Sequence, residues 1–396
     1  MPEPSVFHSR TAQLCTSHRW KDWGGYYAVC SYDMSPEPEY QAFRHSAGLI
    51  DVSPLFKYEI AGPDAAAFLS RLTVKDATKL RVGRVTYLCW CDDDGKVIDD
   101  GTLSRLGEEH FRLTAAEPSL HWLASVSRGF RVTIEDSSAR LGTLALQGPE
   151  SRRILERVTD VDLAALKFFR VAAGTLAGVP VWISRTGYTG DLGYEIWVGR
   201  DGAERVYDAI TEAGRGHGLL PAGLDALDVA RIEAGFVMNG VDYFSAHHCL
   251  TESRKSSPFE LGLGWTVQLD RGPFVGQAAL AREKQRGPRR AFVGLDVSWA
   301  QLEEVFARYG LPPELSLHAW RDGRPVYDGE ERWIGQATSG AWSPTLKKNL
   351  ALALLPAGHA ATGTPVRCEV TAEYRRHTVA ARVVKPPFFD PERKRA

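Results

Sequence analysis

The chain has 396 residues, 44% hydrophobic and 24% charged, with a formal net charge of -1. That composition belongs to a globular chain with a proper core, and the length implies two or three domains. No basic stripe is present to neutralise nucleic-acid phosphates. The start MPEPSVFHSRTAQ lacks an apolar h-region, and the longest apolar run, near Leu350–Leu355, is far short of the ~20 residues a membrane span needs. A cytoplasmic protein with neither nucleic-acid nor membrane partner is expected.

In chain order, Ser46–Ile60 reads as a loop and strand, and the segment after Gly62-Pro63-Asp64 as a helix with Phe68, Leu69 and Leu72 on one side. Val82–Leu106 holds two strands around the turn Asp92-Asp93-Asp94-Gly95. Phe111–Thr114 and Phe130–Ile134 read as further strands, and the stretch after Pro149 as a helix. Arg185–Val198, RTGYTGDLGYEIWV, sets a Gly-rich turn between two strand-like runs, with one acid, Glu195, inside the second. Acids are disfavoured in strand interiors, so Glu195 needs a partner. Ala203–Ala213 and Leu224–Ala234 read as helices stopped by Gly214 and Gly235. The basic, Gly/Pro-punctuated Arg282–Arg290 is the expected linker. Ala291–Val297 and most of Ile334–Val384 then read as short strands of a small β domain. The class is α+β, without regular βαβ alternation.

Walker A, complete GxGxxG, HExxH, GxSxG and CxxC motifs are absent, which removes the main support for NTPase, simple Rossmann and zincin readings. Six cysteines are scattered through the chain and do not form a disulfide framework. Cys89 and Cys91, in C-W-C, suit core packing. His247-His248-Cys249 lacks a fourth ligand at useful spacing, so no metal is expected there.

Four segments, in order, resemble the glycine-cleavage T-protein (aminomethyltransferase) family: Gly95–Asp100 (GKVIDD); Arg185–Ile196; Ala230–Gly235 (ARIEAG) followed by Ser257–Leu280; and Ser339–Leu352 (SGAWSPTLKKNLAL). The resemblance implies three domains around a central folate channel. These are a discontinuous central folate-binding domain (1–60 and 145–285), an α+β second domain (61–144) and a C-terminal β-barrel (290–390). It also implies tetrahydrofolate as cofactor. A carboxylate can take two adjacent pterin N–H donors in bidentate fashion, and Glu195 matches the family residue with that role. A carboxylate near folate N5 can stabilise developing charge or move a proton. Asp99 matches the catalytic aspartate, with Asp100 beside it. On a regular strand the two point to opposite faces, so only one is expected at the pocket. Tyr87, Tyr188 and Trp265 match positions lining the pocket with flat walls, and Arg231 joins them as a cofactor contact, although its i,i+3 spacing from Asp228 also suits an ordinary helix pair.

The chain also departs from the family. Leu227 stands where aminomethyltransferases carry arginine in GLxARD, Pro54 where DVSH has histidine, and Asn239 where L-Y-G has tyrosine, while 114–116 is a shortened stretch. The resemblance therefore implies a tetrahydrofolate-dependent one-carbon transferase like glycine-cleavage aminomethyltransferase. The alternatives are a folate-dependent demethylase of a small S- or O-methylated substrate and a non-catalytic folate-binding protein. The implied partner is a small-molecule one-carbon donor, joined in the first reading by a lipoylated carrier protein.

Overall fold

The computed structural model describes every residue of the chain except Glu314 and Leu317. Two open sheets and a closed barrel organise it. A six-stranded sheet runs in the order Val171–Leu176, Val179–Ser184, Gly193–Gly199, Leu141–Gln147, Ala47–Asp51, Leu219–Pro221. It is antiparallel apart from its last pair. A five-stranded antiparallel sheet runs Val85–Cys91, Val97–Arg105, His110–Ala115, Phe56–Ala61, Thr133–Asp136. The barrel closes six antiparallel strands between Arg290 and Val384. The whole is α+β with a C-terminal barrel.

The chain leaves the six-stranded sheet after Asp51 and enters the five-stranded one at Phe56. It returns between Asp136 and Leu141, a few residues ahead of the expected boundaries at 60 and 145. The expected linker is corrected. Residues 282–286 continue the helix Gln277–Arg286, which buries Glu283 beneath it, so only residues 287–289 separate that helix from the barrel strand Arg290–Val297. The strand expected at 130–134 lies at Thr133–Asp136. The hairpin Arg19–Ser31, the helices Glu37–His45 and Trp299–Ala307, and the strand Val171–Leu176 carry no strong sequence signal.

Each sheet has its own core, and a further cluster fills the junction. Cys89, Cys91 and Val97 of the five-stranded sheet pack there against Val237, Tyr243, Leu261 and Leu280. Both cysteines of C-W-C are fully buried free thiols. The helix Leu224–Glu233 packs its apolar side on Leu350, Leu352 and Ala341 of the barrel. Burial of this kind contributes roughly 25 cal/mol per Å² of apolar area, and it brings loops from all three units together. Among the described residues no helix is long and apolar enough to cross a membrane.

Candidate active site

The Gly-rich turn at 185–193 is shaped by what it packs against. A Cβ at Gly187 would sit 1.9 Å from Gln147 Oε1. Gly190 adopts φ +73 with its Cα facing Ala234, where a Cβ would approach to 2.6 Å; this left-handed backbone is the kind glycine adopts at little cost. Thr189 donates to Gln147 at 2.9 Å. The buried Arg44 donates to the Thr189 carbonyl at 3.0 Å and to Glu233 at 2.5 Å, so the turn is locked to the ARIEAG helix.

Glu195 lies on the interior strand Gly193–Gly199, opposite Ser184 on one side and Ala145 on the other. It is half-buried, not an edge-strand acid in water. Its Oε2 accepts from Thr186 at 2.7 Å and from Ser184 at 3.5 Å. Among the described residues no donor reaches Oε1. Burial raises its carboxyl, and the two hydroxyls partly offset the rise.

Asp99 and Asp100 stand on the strand Val97–Arg105. Of the two only Asp100 keeps exposed surface, yet both carboxylates reach one hydroxyl. The pairing register shifts between Trp90 and Cys91 and leaves Ile98 as an extra residue, while Asp99 and Asp100 themselves pair in regular register with Trp90 and Cys89. Both carboxylates meet at Tyr243, whose hydroxyl donates to Asp100 and lies 3.4 Å from Asp99 Oδ1. Asp99 has no exposed surface. Its Oδ2 accepts the backbone N–H groups of Ala116 and Glu117, both at 2.9 Å. Its Oδ1 accepts the Asp100 N–H and the Asn239 side-chain amide, also at 2.9 Å. Asp100 is half-buried and accepts Tyr87 at 2.7 Å. Burial first, and the charge of Asp100 second, push Asp99 up to about 7. Burial raises Asp100 as well. The two titrate as a coupled pair.

Aromatic rings flank these acids. Tyr87 stacks on Trp265 at 6.1 Å, with Lys75 Nζ 5.0 Å above the Trp265 ring. Trp265 is 65% exposed, so its place in an apolar stretch does not make it a core residue. Tyr188 stacks on Phe236 at 5.4 Å and donates to the Val237 carbonyl at 2.5 Å. Tyr87 touches Asp100 directly, and the charge of Asp100 also raises Tyr188, after burial.

Arg231 is placed differently. It is fully buried and donates to Asp228 at 2.7 Å and to Asp242 at 2.6 Å. Burial works against its charge, and the two carboxylates outweigh it. Its main contacts are thus structural. Nη2 alone is buried without a partner, and it is all that Arg231 could offer a ligand. Asp242 also accepts from Ser339 at 2.9 Å and from Thr338, both on the barrel, so the loop after the helix is pinned from two sides. His247 packs edge-on to Trp122 at 4.8 Å; among the described residues no group of His, Cys, Asp and Glu could hold a metal.

Sequence reasoning did not single out Tyr243, Phe236, Thr186 or Lys75. The available signal was local: Asn239, Asp242 and Tyr243 crowd one loop directly after the ARIEAG helix.

Comparison with known proteins gives a consistent result. Residues 6–271 match the family model described as GCVT N-terminal domain, and residues 310–390 match the glycine cleavage T-protein C-terminal barrel domain. The chain is 37% identical over 382 residues to an aminomethyltransferase of Symbiobacterium thermophilum, covering 94% of this chain and 93% of that protein. It is 35% identical over 409 residues to a trimethylamine-oxide aldolase of Ruegeria pomeroyi, covering all of this chain and 48% of that protein. The crystal structure of aminomethyltransferase T from Bartonella henselae superposes with a TM-score of 0.83 over 98% of this chain and 99% of that one, at 24% identity, a likeness of fold.

Proposed function

The chain belongs to the glycine cleavage T-protein family and is an enzyme of one-carbon transfer, and from that premise we propose that it passes a one-carbon unit from a small donor to tetrahydrofolate. Glu195 anchors the pterin in this reading, and Asp99 with Asp100 handles the proton. The observation that carries it is the free Oε1 of Glu195, a half-buried carboxylate oxygen beside an Oε2 already fixed by Thr186. Oε1 keeps solvent access and its acceptor capacity is uncommitted, so a pair of pterin N–H groups can reach the carboxylate and bind it in a charge-assisted way.

The residues present fit such a ligand. The Tyr188–Phe236 and Tyr87–Trp265 stacks supply flat apolar walls, and Lys75 stands above the exposed Trp265 ring. When bound, tetrahydrofolate supplies the nitrogen N5 that takes up the carbon. The chain supplies the rest. Glu195 fixes orientation, the rings exclude water from the reacting face, and the carboxyl pair accepts or returns a proton near neutral pH.

Anaerobic calorimetric titration with tetrahydrofolate tests the reading. Micromolar binding at one site per chain is the expected result. No detectable heat from a folded sample would leave the family resemblance as one of fold and remove folate from the site.

A second reading differs only in the donor. Leu227, where aminomethyltransferases carry arginine, is buried in the apolar cluster under the barrel, and the likeness of the whole chain to about half of a trimethylamine-oxide aldolase (48% of that protein) points the same way. These observations favour demethylation of a small methylated compound over transfer from a lipoylated carrier. Turnover of methylated amines and sulfonium compounds without any carrier protein would establish it, and activity with the aminomethyl-loaded carrier alone would refute it.

A further inference from the structure

We propose that Tyr243 is a positioning residue that joins Asp99 and Asp100 into one proton-sharing unit, with the shared proton housed on Asp100. The two carboxyls differ in what surrounds them. Asp99 faces four N–H donors, two on each oxygen. None of these nitrogens can accept a hydrogen bond in return, so a proton on Asp99 would displace one of them.

Asp100 is surrounded differently. Its side-chain partners are the hydroxyls of Tyr87 and Tyr243. A phenol can donate to a carboxylate or turn and accept from a carboxylic acid. Asp100 can therefore hold the proton without breaking its contacts. The Tyr243 hydroxyl also lies 3.4 Å from Asp99 Oδ1, so one rotatable O–H spans the pair. The phenol itself is 1% exposed and held in the junction core.

The surroundings leave no competing cation. Tyr58 faces Asp99 from the strand Phe56–Ala61, Tyr87 and Tyr188 face Asp100, and Asp242, itself neutralised by Arg231, adds its charge. Among the described residues no Lys, Arg or His pairs with either acid. The functional value of the unit, a proton donor on the half-buried acid and a fixed anion behind it, rests on the one-carbon transfer reading. The arrangement itself does not.

The test is the ¹³C NMR titration of the aspartate carboxyl carbons in the protein without ligand, so it is independent of whether folate binds. In the wild type the step near neutral pH should appear as a large shift at Asp100 and a small one at Asp99. Tyr243→Phe removes a donor to the Asp100 anion, so this step should move up by about one to two pH units. Asp100→Asn should abolish it and leave Asp99 ionised at neutral pH, which keeps the test decisive if Tyr243→Phe does not fold. A near-neutral step that belongs to Asp99 and survives Asp100→Asn would overturn the proposal. So would a Tyr243→Phe protein whose step does not move. For turnover, Tyr243→Phe should shift the pH profile of kcat in the same direction with KM for folate unchanged, a split that mere loss of packing would not produce.

Discussion

Asn239 donates its side-chain amide to Asp99 over 2.9 Å, and this contact joins the loop after the ARIEAG helix to the acid strand of the other sheet. It gives the chain's departure at position 239 a physical meaning, because the residue touches the buried acid directly.

Asn239→Ala should leave Asp99 Oδ1 with one donor fewer. The cost expected for a hydrogen bond to a charged group is about 1.5–3 kcal/mol, read by urea denaturation at pH 8, together with a further rise of the pair's titration. Unchanged stability would mean that water replaces the amide and that the contact is incidental.

Glu195→Ala should weaken tetrahydrofolate binding by about 1.5–3 kcal/mol with little change in folding. Because burial raises Glu195 above the ordinary value of ~4.3, and because the ionised form is the acceptor, affinity should fall as pH drops from neutral into that raised range. Calorimetry across pH measures both effects. A mutant that binds as tightly as the wild type would exclude Glu195 from the site.

Asp99→Asn and Asp100→Asn separate the members of the pair. Asp99 is the family match, and Asp99→Asn should lower turnover while leaving folate affinity largely intact. Asp100 is the half-buried member that houses the shared proton, so Asp100→Asn should show the larger kcat loss, and a larger loss in Asp99→Asn would return the direct proton transfer to Asp99.

The pair should also write itself into stability. The coupled pair releases its shared proton at about 7 in the folded state, against ~3.9 for either carboxyl unfolded, and so binds that proton more tightly when folded. Its contribution is complete below the unfolded value, is lost as pH rises from there to about 7, and is constant above. The loss is on the order of 4 kcal/mol. Denaturation of wild type and Asp100→Asn across this window should show the decline only in the wild type, and parallel curves would argue against the coupling.

Arg231→Ala should cost about 3–5 kcal/mol, the scale for orphaning a buried charge. Arg321 still reaches Asp228 at 2.7 Å, so the uncompensated group is Asp242, the anchor of the loop that bears Asn239 and Tyr243. Chemical denaturation measures the loss. A change under 1 kcal/mol would show that Thr338 and Ser339 suffice to hold Asp242.

Much of this was legible in the residues. Asp92–Gly95 announces the hairpin that delivers the acid pair, and the run GYTGDLG announces the packed turn that precedes Glu195. The convergence of Asp99 and Asp100 was not legible, because it is made by the Tyr243 hydroxyl, which tertiary folding brings in from a distant part of the chain. Arg231 was assigned to the cofactor from its motif, whereas its partner Asp242 lies eleven residues on, beyond any helical spacing. Tyr243 has only its place in the polar loop after the ARIEAG helix as a local signal: its role comes from the tertiary placement of one hydroxyl. The helix at 282–286 reads as a linker because its composition is basic and polar, and only packing over Glu283 decides in favour of the helix.

The acid pair is assembled from residues 99–100, 116–117 and 239–243, and that last loop is tethered through Asp242 to residues 338–339 of the barrel. These are long sequence separations, and contacts of this kind form late. During synthesis from the N-terminus, more than three hundred residues must emerge before the tether can close. A ribosome-bound or truncated chain lacking the barrel would carry both aspartates yet no ordered pair, so proton-transfer competence should arise as one of the last events of folding, and an incomplete chain should be catalytically silent.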